Sequence, residues 1–252
     1  MRAMKSAARM VMLPVVLLAA LVTPVFAADA PLTEDVFRQR LGFGATVHMA
    51  YRDLACNAVK FDGFTAGMKE PGAHADVDRS PDGKQITMTV RKRGMPACPS
   101  PYPPITELPP FDLRDLGGKR VTSAALRGKP TLINFFFSTC VPCILEVKPL
   151  NQFAAQRPQV NFLAVTFDEA DVARAFVDRF GFRWRIVPDA RDFIDRVRVK
   201  NYPMMALFDA QGRLLGTRQG GARDELEAAN VGPQLALWMD GLLRQNKAAG
   251  AK

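Results

Sequence analysis

The rhythm of apolar and polar positions changes near residue 111. Before it, a short helical stretch at 34–40 is followed by strand-like runs at 45–51, 58–65 and 85–91. In the last run Ile86, Met88 and Val90 alternate with polar residues and so share one face of a strand. Pro71-Gly72 and Ser80-Pro81-Asp82-Gly83 supply turns between these runs. After residue 111, strands alternate with helices. Residues 132–137 form a nearly continuous apolar run, as expected of a buried strand, and a helix follows Cys140. A buried strand at 162–167 and a helix at 171–180 come next. Phe182, Trp184 and Ile186 then alternate with Arg183 and Arg185, which predicts a strand near a sheet edge. A short helix at 190–196, a hairpin at 205–208 and 213–217 joined through Asp209-Ala210-Gln211-Gly212, and a helix within 224–244 complete the pattern. The fold class is α/β: a central mixed sheet flanked by helices over residues 111–247, preceded by a small strand-rich module at 29–98. The proline-rich stretch 99–110 reads as the linker between them.

The first 27 residues change the picture by adding an address. Arg2, Lys5 and Arg9 precede an apolar run from Met10 to Val22, and Val25-Phe26-Ala27 offers a small-residue cleavage pattern, the layout of a secretory signal. The apolar character persists to Ala28, but Pro14 and Pro24 interrupt it and a membrane span needs about 20 apolar residues, so cleavage and export are expected over the alternative of an uncleaved anchor. In bacteria the destination is the periplasm. Of the formal charge of +9, three units belong to this leader. Without a clustered basic stripe the remaining excess gives a solvated basic surface, and nucleic acid is not an expected partner.

Export also changes what cysteines do, because disulfides persist in oxidising compartments. Four cysteines allow three pairings. Cys140 and Cys143 enclose only two residues and can close on each other, which leaves Cys56 and Cys98 for a structural disulfide across the N-terminal module. A second redox pair relaying electrons to the first is the alternative role for Cys56 and Cys98. The Cys-x-x-Cys spacing also makes half of a zinc ribbon, but no second close pair exists, and His48 and His74, the only histidines, lack ligand spacing. No metal and no cofactor are expected.

Cys140 stands at a predicted strand-to-helix junction, where unpaired helix N–H groups and the positive end of the macrodipole favour a thiolate. Pro142 suits the first helical turn, and Ser138 or Thr139 is available as its cap. Cys140 should therefore be the exposed nucleophile and Cys143, turned inward, the resolving thiol. Glu146 follows Cys143 by three positions and can share its helix face. It is either an ordinary exposed helical glutamate or a partly buried base for the Cys143 proton.

Several separated motifs together resemble the exported thioredoxin-fold reductases called TlpA-like or ResA-like, over about residues 109–247. They are Pro110-Phe111-Asp112-Leu113, Gly117-Gly118-Lys119, Leu126-Arg127-Gly128-Lys129-Pro130, Asn134-Phe135-Phe136 through Cys140-Val141-Pro142-Cys143 to Glu146 and Pro149, and Tyr202-Pro203 followed by Ala206-Leu207-Phe208-Asp209 and Gly212. The resemblance implies a thioredoxin-like fold, a cis Pro203 beside the cysteines, a substrate groove formed with Thr139, Val141, Pro142 and Tyr202, and Glu146 as the buried acid. Thr139 stands where many members carry tryptophan, which bears on groove width and choice of partner.

The expected activity is reduction of protein disulfides, with protein thiols and disulfides as substrates and a membrane thiol donor for recharging. Val141-Pro142 contributes no basic residue to stabilise the reduced form, as a strong oxidant would require. The same exchange run as an oxidase or isomerase is one alternative. A Cu(I)-binding chaperone using Cys140, Cys143 and Met204 or Met205 is another, and a redox-silent recognition module is a third.

Overall fold

The structure, a computed structural model, describes residues 32–41 and 46–250. The leader at 1–27 lies outside the described residues. The chain divides into two compact units at residues 43/44. Within the first, helix α1 (Glu34–Arg40) is capped by Thr33, whose hydroxyl accepts the Val36 N–H at 3.3 Å.

The second unit begins with β1 (His48–Arg52), β2 (Ala58–Val59), α2 (Phe61–Met68), β3 (Ala73–Arg79) and β4 (Gln85–Lys92). The strands form one sheet in the order β2-β1-β4-β3, with β1 parallel to β4. The run expected as a strand at 58–65 is paired over only two residues and then turns helical. Phe61 and Phe64, three apart, fall on one face of α2, and both rings pack on Tyr51 with centroids 5.4 and 5.1 Å away. β3 lies outside the strands expected above, because two of the three residues on its alternating face, Ala73, Ala75 and Val77, are alanine, but it pairs with β4 over seven residues.

Both faces of β4 are covered: Ile86, Met88 and Val90 on one, Thr87, Thr89 and Arg91 on the other. Part of the second cover is the proline-rich segment, whose Tyr102 hydroxyl lies 2.9 Å from Thr87 Oγ1. At its far end Leu108 N donates to the Gly212 carbonyl at 2.7 Å.

The remaining elements are β5 (Asp112–Arg114), β6 (Arg120–Thr122), β7 (Thr131–Phe136), α3 (Val141–Ala155), β8 (Asn161–Thr166), α4 (Ala170–Phe180), β9 (Arg185–Val187), α5 (Arg191–Val197), β10 (Met204–Phe208), β11 (Leu214–Gln219) and α6 (Glu225–Gly250). Five strands form a mixed sheet in the order β11-β10-β7-β8-β9, with β7, β8 and β9 parallel and β10 antiparallel to both neighbours. β9 is an edge, as the Arg/aromatic alternation predicts. β7 is central, and its alternate residues feed two cores: Leu132 and Phe136 enter one beside α3, Ile133 and Phe135 the other beside α5. That double burial is why its sequence is almost unbroken in apolar residues.

Charge joins the small sheet to α5 and to the turn beyond it. Arg79 reaches Asp192 at 2.8 Å and Asp195 at 3.4 Å, and Lys200 reaches Asp78 at 3.3 Å. Burial holds the Asp195 carboxyl above the usual carboxylate range, against the pull of Arg79.

Candidate active site

The site grows from the end of β7. The chain leaves the sheet through Phe137, and the Ser138 N–H is held by Asp168 Oδ2 at 2.7 Å, which ties this loop to the end of β8. Cys140 then caps α3. Its φ and ψ of −77° and 102° are extended, and its sulfur accepts the Cys143 N–H at 3.2 Å. The cap is thus the cysteine itself and not Ser138 or Thr139, because the side chain that faces the open first turn is the one that also bridges to Cys143. The two sulfurs are bonded at 2.01 Å, and Pro142 lies within the first turn.

Cys140 is not exposed as expected: it and Cys143 are each 4% exposed. In the closed bridge Cys140 belongs to the same core cluster as Phe136 and Val147. The rim is carried by its neighbours, since Thr139 is exposed and Val141 is 64% exposed, while Pro142 is half-buried.

The opposite wall is the turn before β10. Tyr202-Pro203 is cis. The Tyr202 ring meets Phe137 edge-on at 5.3 Å and Phe167 at 5.7 Å, so aromatic packing brings this turn against the loop that carries the cysteines. Burial pushes the Tyr202 phenol up to about 12, and its hydroxyl has no hydrogen-bond partner among the described residues. The Pro203 carbonyl accepts from Gly220 N at 2.9 Å and Gln219 Nε2 at 2.7 Å.

Glu146 lies on α3 one turn beyond Cys143 and is 1% exposed. Its Oε1 accepts the N–H groups of Gly221 at 2.7 Å and Ala222 at 3.1 Å, whereas buried Oε2 has no partner among the described residues. Burial raises its proton affinity, opposed by those two N–H groups and by the charge of Arg218. Arg218 and Glu146 line one cleft of about 340 Å³ between β11 and α6, with Met205, Gly221, Asn230 and Leu235 among the other walls.

Gly220 was not singled out by sequence reasoning, yet it joins the two halves of the site. A Cβ on Gly220 would sit 2.8 Å from Pro203 Cγ and 2.9 Å from both Glu146 oxygens. Only the Gly220-Gly221 pair after a strand hinted at it. Gly220→Ala should therefore cost about 1–3 kcal/mol by overpacking and displace Glu146 or Pro203, slowing disulfide exchange. Denaturant unfolding together with exchange kinetics checks this; unchanged values in both would show that the segment yields freely.

Among the described residues no group of three His, Cys, Asp or Glu side chains could hold a metal ion, and no helix is long and apolar enough to cross a membrane. Met205, offered above as a soft ligand, is 2% exposed within the core cluster that also holds both cysteines.

A five-stranded mixed sheet whose central strand delivers a Cys-x-x-Cys bridge to the start of a helix, facing a cis-proline turn, defines a thioredoxin-like fold. The chain belongs to the Redoxin family, whose pattern it matches over residues 103–235. It is similar to the thiol-disulfide oxidoreductase ResA of Bacillus thuringiensis (strain Al Hakam), at 29% identity over 113 residues, 43% of this chain and 65% of that protein. Against ResA of Bacillus subtilis (strain 168) the figures are 30% over 114 residues, 44% and 64%. The match thus spans a little under two thirds of these relatives' own length. The crystal structure of StoA from Bacillus subtilis superposes with a TM-score of 0.43 at 20% identity, covering 51% of this chain and 95% of that one.

Proposed function

We propose that this protein is an exported thiol-disulfide oxidoreductase that reduces protein disulfides through Cys140 and Cys143, and that the described state is its oxidised form. The observation that carries this reading is the bridge between the helix-capping Cys140 and Cys143. Its membership of the Redoxin family and its ResA relatives support it.

In the reduced protein the Cys140 thiolate attacks one sulfur of a substrate disulfide. The substrate S–S bond breaks, its second sulfur leaves as a thiolate, and Cys140 is held in a mixed disulfide. Glu146, as carboxylate, takes the Cys143 proton directly or through one water of the cleft. The Cys143 thiolate then attacks the Cys140 sulfur, the first substrate sulfur leaves as a thiolate, and the Cys140–Cys143 bridge is restored. Two electrons have passed to the substrate. A dithiol donor at the membrane would return them, and the leader at 1–27 would deliver the protein to that compartment. Thr139, Val141, Pro142 and Tyr202 form the surface on which an extended substrate segment would lie. We assign residues 29–98 to a separate module and 99–110 to the segment that connects it.

Protein charged with dithiothreitol and freed of excess reductant should reduce insulin, and Cys140→Ala should remove one disulfide equivalent of this transfer per chain. Failure of the charged protein to yield insulin thiols would overturn the reading.

A further inference from the structure

We infer that the Cys56–Cys98 disulfide is a second, reversible redox centre, opened by dithiol attack on the Cys56 sulfur with Cys98 leaving as a thiolate beside Arg91. A staple is useful where nothing else holds its ends together. Here both ends are held independently of the bridge joining Cys56 to Cys98. On the Cys56 side, Asp53 Oδ1 accepts the N–H groups of Ala55 and Asn57, each at 2.9 Å, and Asp53 N donates to the Asn57 carbonyl at 3.0 Å. On the Cys98 side, Arg91 donates to the Met95 carbonyl at 2.5 Å, and Arg52 donates to the carbonyl of Pro99 at 2.8 Å. The parallel pairing of β1 with β4 fixes the distance between the two sides. The opened dithiol would therefore keep its sulfurs as neighbours, which a reversible couple needs.

Access and polarity point the same way. Cys56 and Cys98 are both half-buried, and residues 93–97 between β4 and Cys98 are exposed. A half-buried bridge beside an exposed segment leaves a small thiol a route to it, and accessible bridges are the labile or regulatory ones. The two sulfurs also differ. The Arg91 guanidinium, itself buried, donates Nη1 to Cys98 Sγ at 3.7 Å, with Nε turned to Asp76 at 3.6 Å. Cys56 instead follows Asp53, whose hydrogen bonds to Asn57 hold it below the usual carboxylate range and keep it charged. The cation beside Cys98 Sγ makes Cys98 the better leaving group.

In the first step, one thiolate of a dithiol bonds to Cys56 Sγ, the Cys56–Cys98 bond breaks, and its electron pair leaves on Cys98. In the second, the donor's other thiolate attacks the donor sulfur on Cys56, the mixed disulfide breaks, and Cys56 leaves as a thiolate that takes a proton from water. The donor ends as its own disulfide and the protein has gained two electrons. None of this uses Cys140, so the proposal stands or falls apart from the function above.

The test uses the full chain with Cys140→Ser and Cys143→Ser, so that only this bridge reports. The protein is incubated under native conditions with graded glutathione or dithiothreitol, the free thiols are alkylated, and peptides are mapped by mass spectrometry while circular dichroism follows the fold. The expected result is opening at unchanged circular dichroism, with glutathione on Cys56 at least about fivefold more often than on Cys98. Arg91→Met should slow opening about three- to tenfold, and Arg91→Lys should retain most of the rate. Opening only after the fold is lost, or glutathione found equally or mainly on Cys98, overturns the proposal. Should Arg91→Met fail to fold, the distribution of glutathione on the unaltered bridge decides alone.

Discussion

Cys143→Ser should accumulate covalent complexes with substrate proteins, and Cys140→Ser should accumulate almost none. Exposure cannot set this order, because both sulfurs are equally buried in the closed bridge. Position can. Cys140 is the cap of α3, its sulfur accepts the Cys143 N–H, and it stands at the positive end of a 15-residue helix, so the negative charge of a thiolate is stabilised there. Cys143 lies inside the first turn, with Glu146 one turn further on, and has no such end of its own. After Cys140 attacks, a serine at 143 has no thiolate with which to release the product, and multiple-turnover reduction should fall at least about 100-fold. Both variants remove the same bridge, so the comparison between them isolates the order of attack from any loss of stability. Non-reducing electrophoresis and mass spectrometry of complexes isolated from cells would read the result. Equal trapping by the two variants would reverse the assignment; trapping by neither would count against disulfide exchange at this site.

What could be read beforehand followed how local each signal was. The apolar run of β7, the Cys-x-x-Cys after it and Pro142 in the first helical turn are neighbours in sequence, so strand, junction and helix were all legible. The 58–65 run misled because Val59 and Phe61 alternate as in a short strand, whereas Phe61 and Phe64, three apart, share a face only in a helix, and Tyr51 favours the helix by offering a surface to both rings. β3 is carried by Ala-His-Ala-Asp-Val-Asp-Arg, whose alternating face of Ala73, Ala75 and Val77 is small and flanked by charge, so the signal is weak, and its pairing is supplied by β4. The acid at Glu146 was legible as a spacing and as part of a resemblance. Its environment was not, because the N–H groups that hold it lie 75 and 76 residues away, and Gly220, which admits it beside Pro203, has no chemistry to display. The cap was misjudged for a simpler reason: a cysteine sulfur is a weak acceptor, and serine and threonine stood beside it.

Glu146→Gln should separate stability from turnover in opposite directions. The wild-type carboxyl is buried and its proton affinity is raised above the ordinary value of 4.5. The folded state therefore holds that proton more tightly than the unfolded chain, and a stabilising contribution present below pH 4.5 is lost as pH rises through the raised folded value. Glutamine keeps an oxygen to accept from Gly221 and Ala222 but never ionises. The variant's thermal midpoint should thus match that of the wild type, or fall slightly below it, in acid and exceed it at neutral pH, with the gap opening across that window. Turnover should move the other way. Without a carboxylate to take the Cys143 proton, release of the mixed disulfide should slow by about 10- to 100-fold, while the first attack by Cys140 is spared. A rapid-quench measurement would show the mixed disulfide building up, and the rate should lose the component of its pH dependence that belongs to Glu146. A variant that is more stable at neutral pH yet resolves as fast as the wild type would leave Glu146 as a buried acid with no part in the exchange.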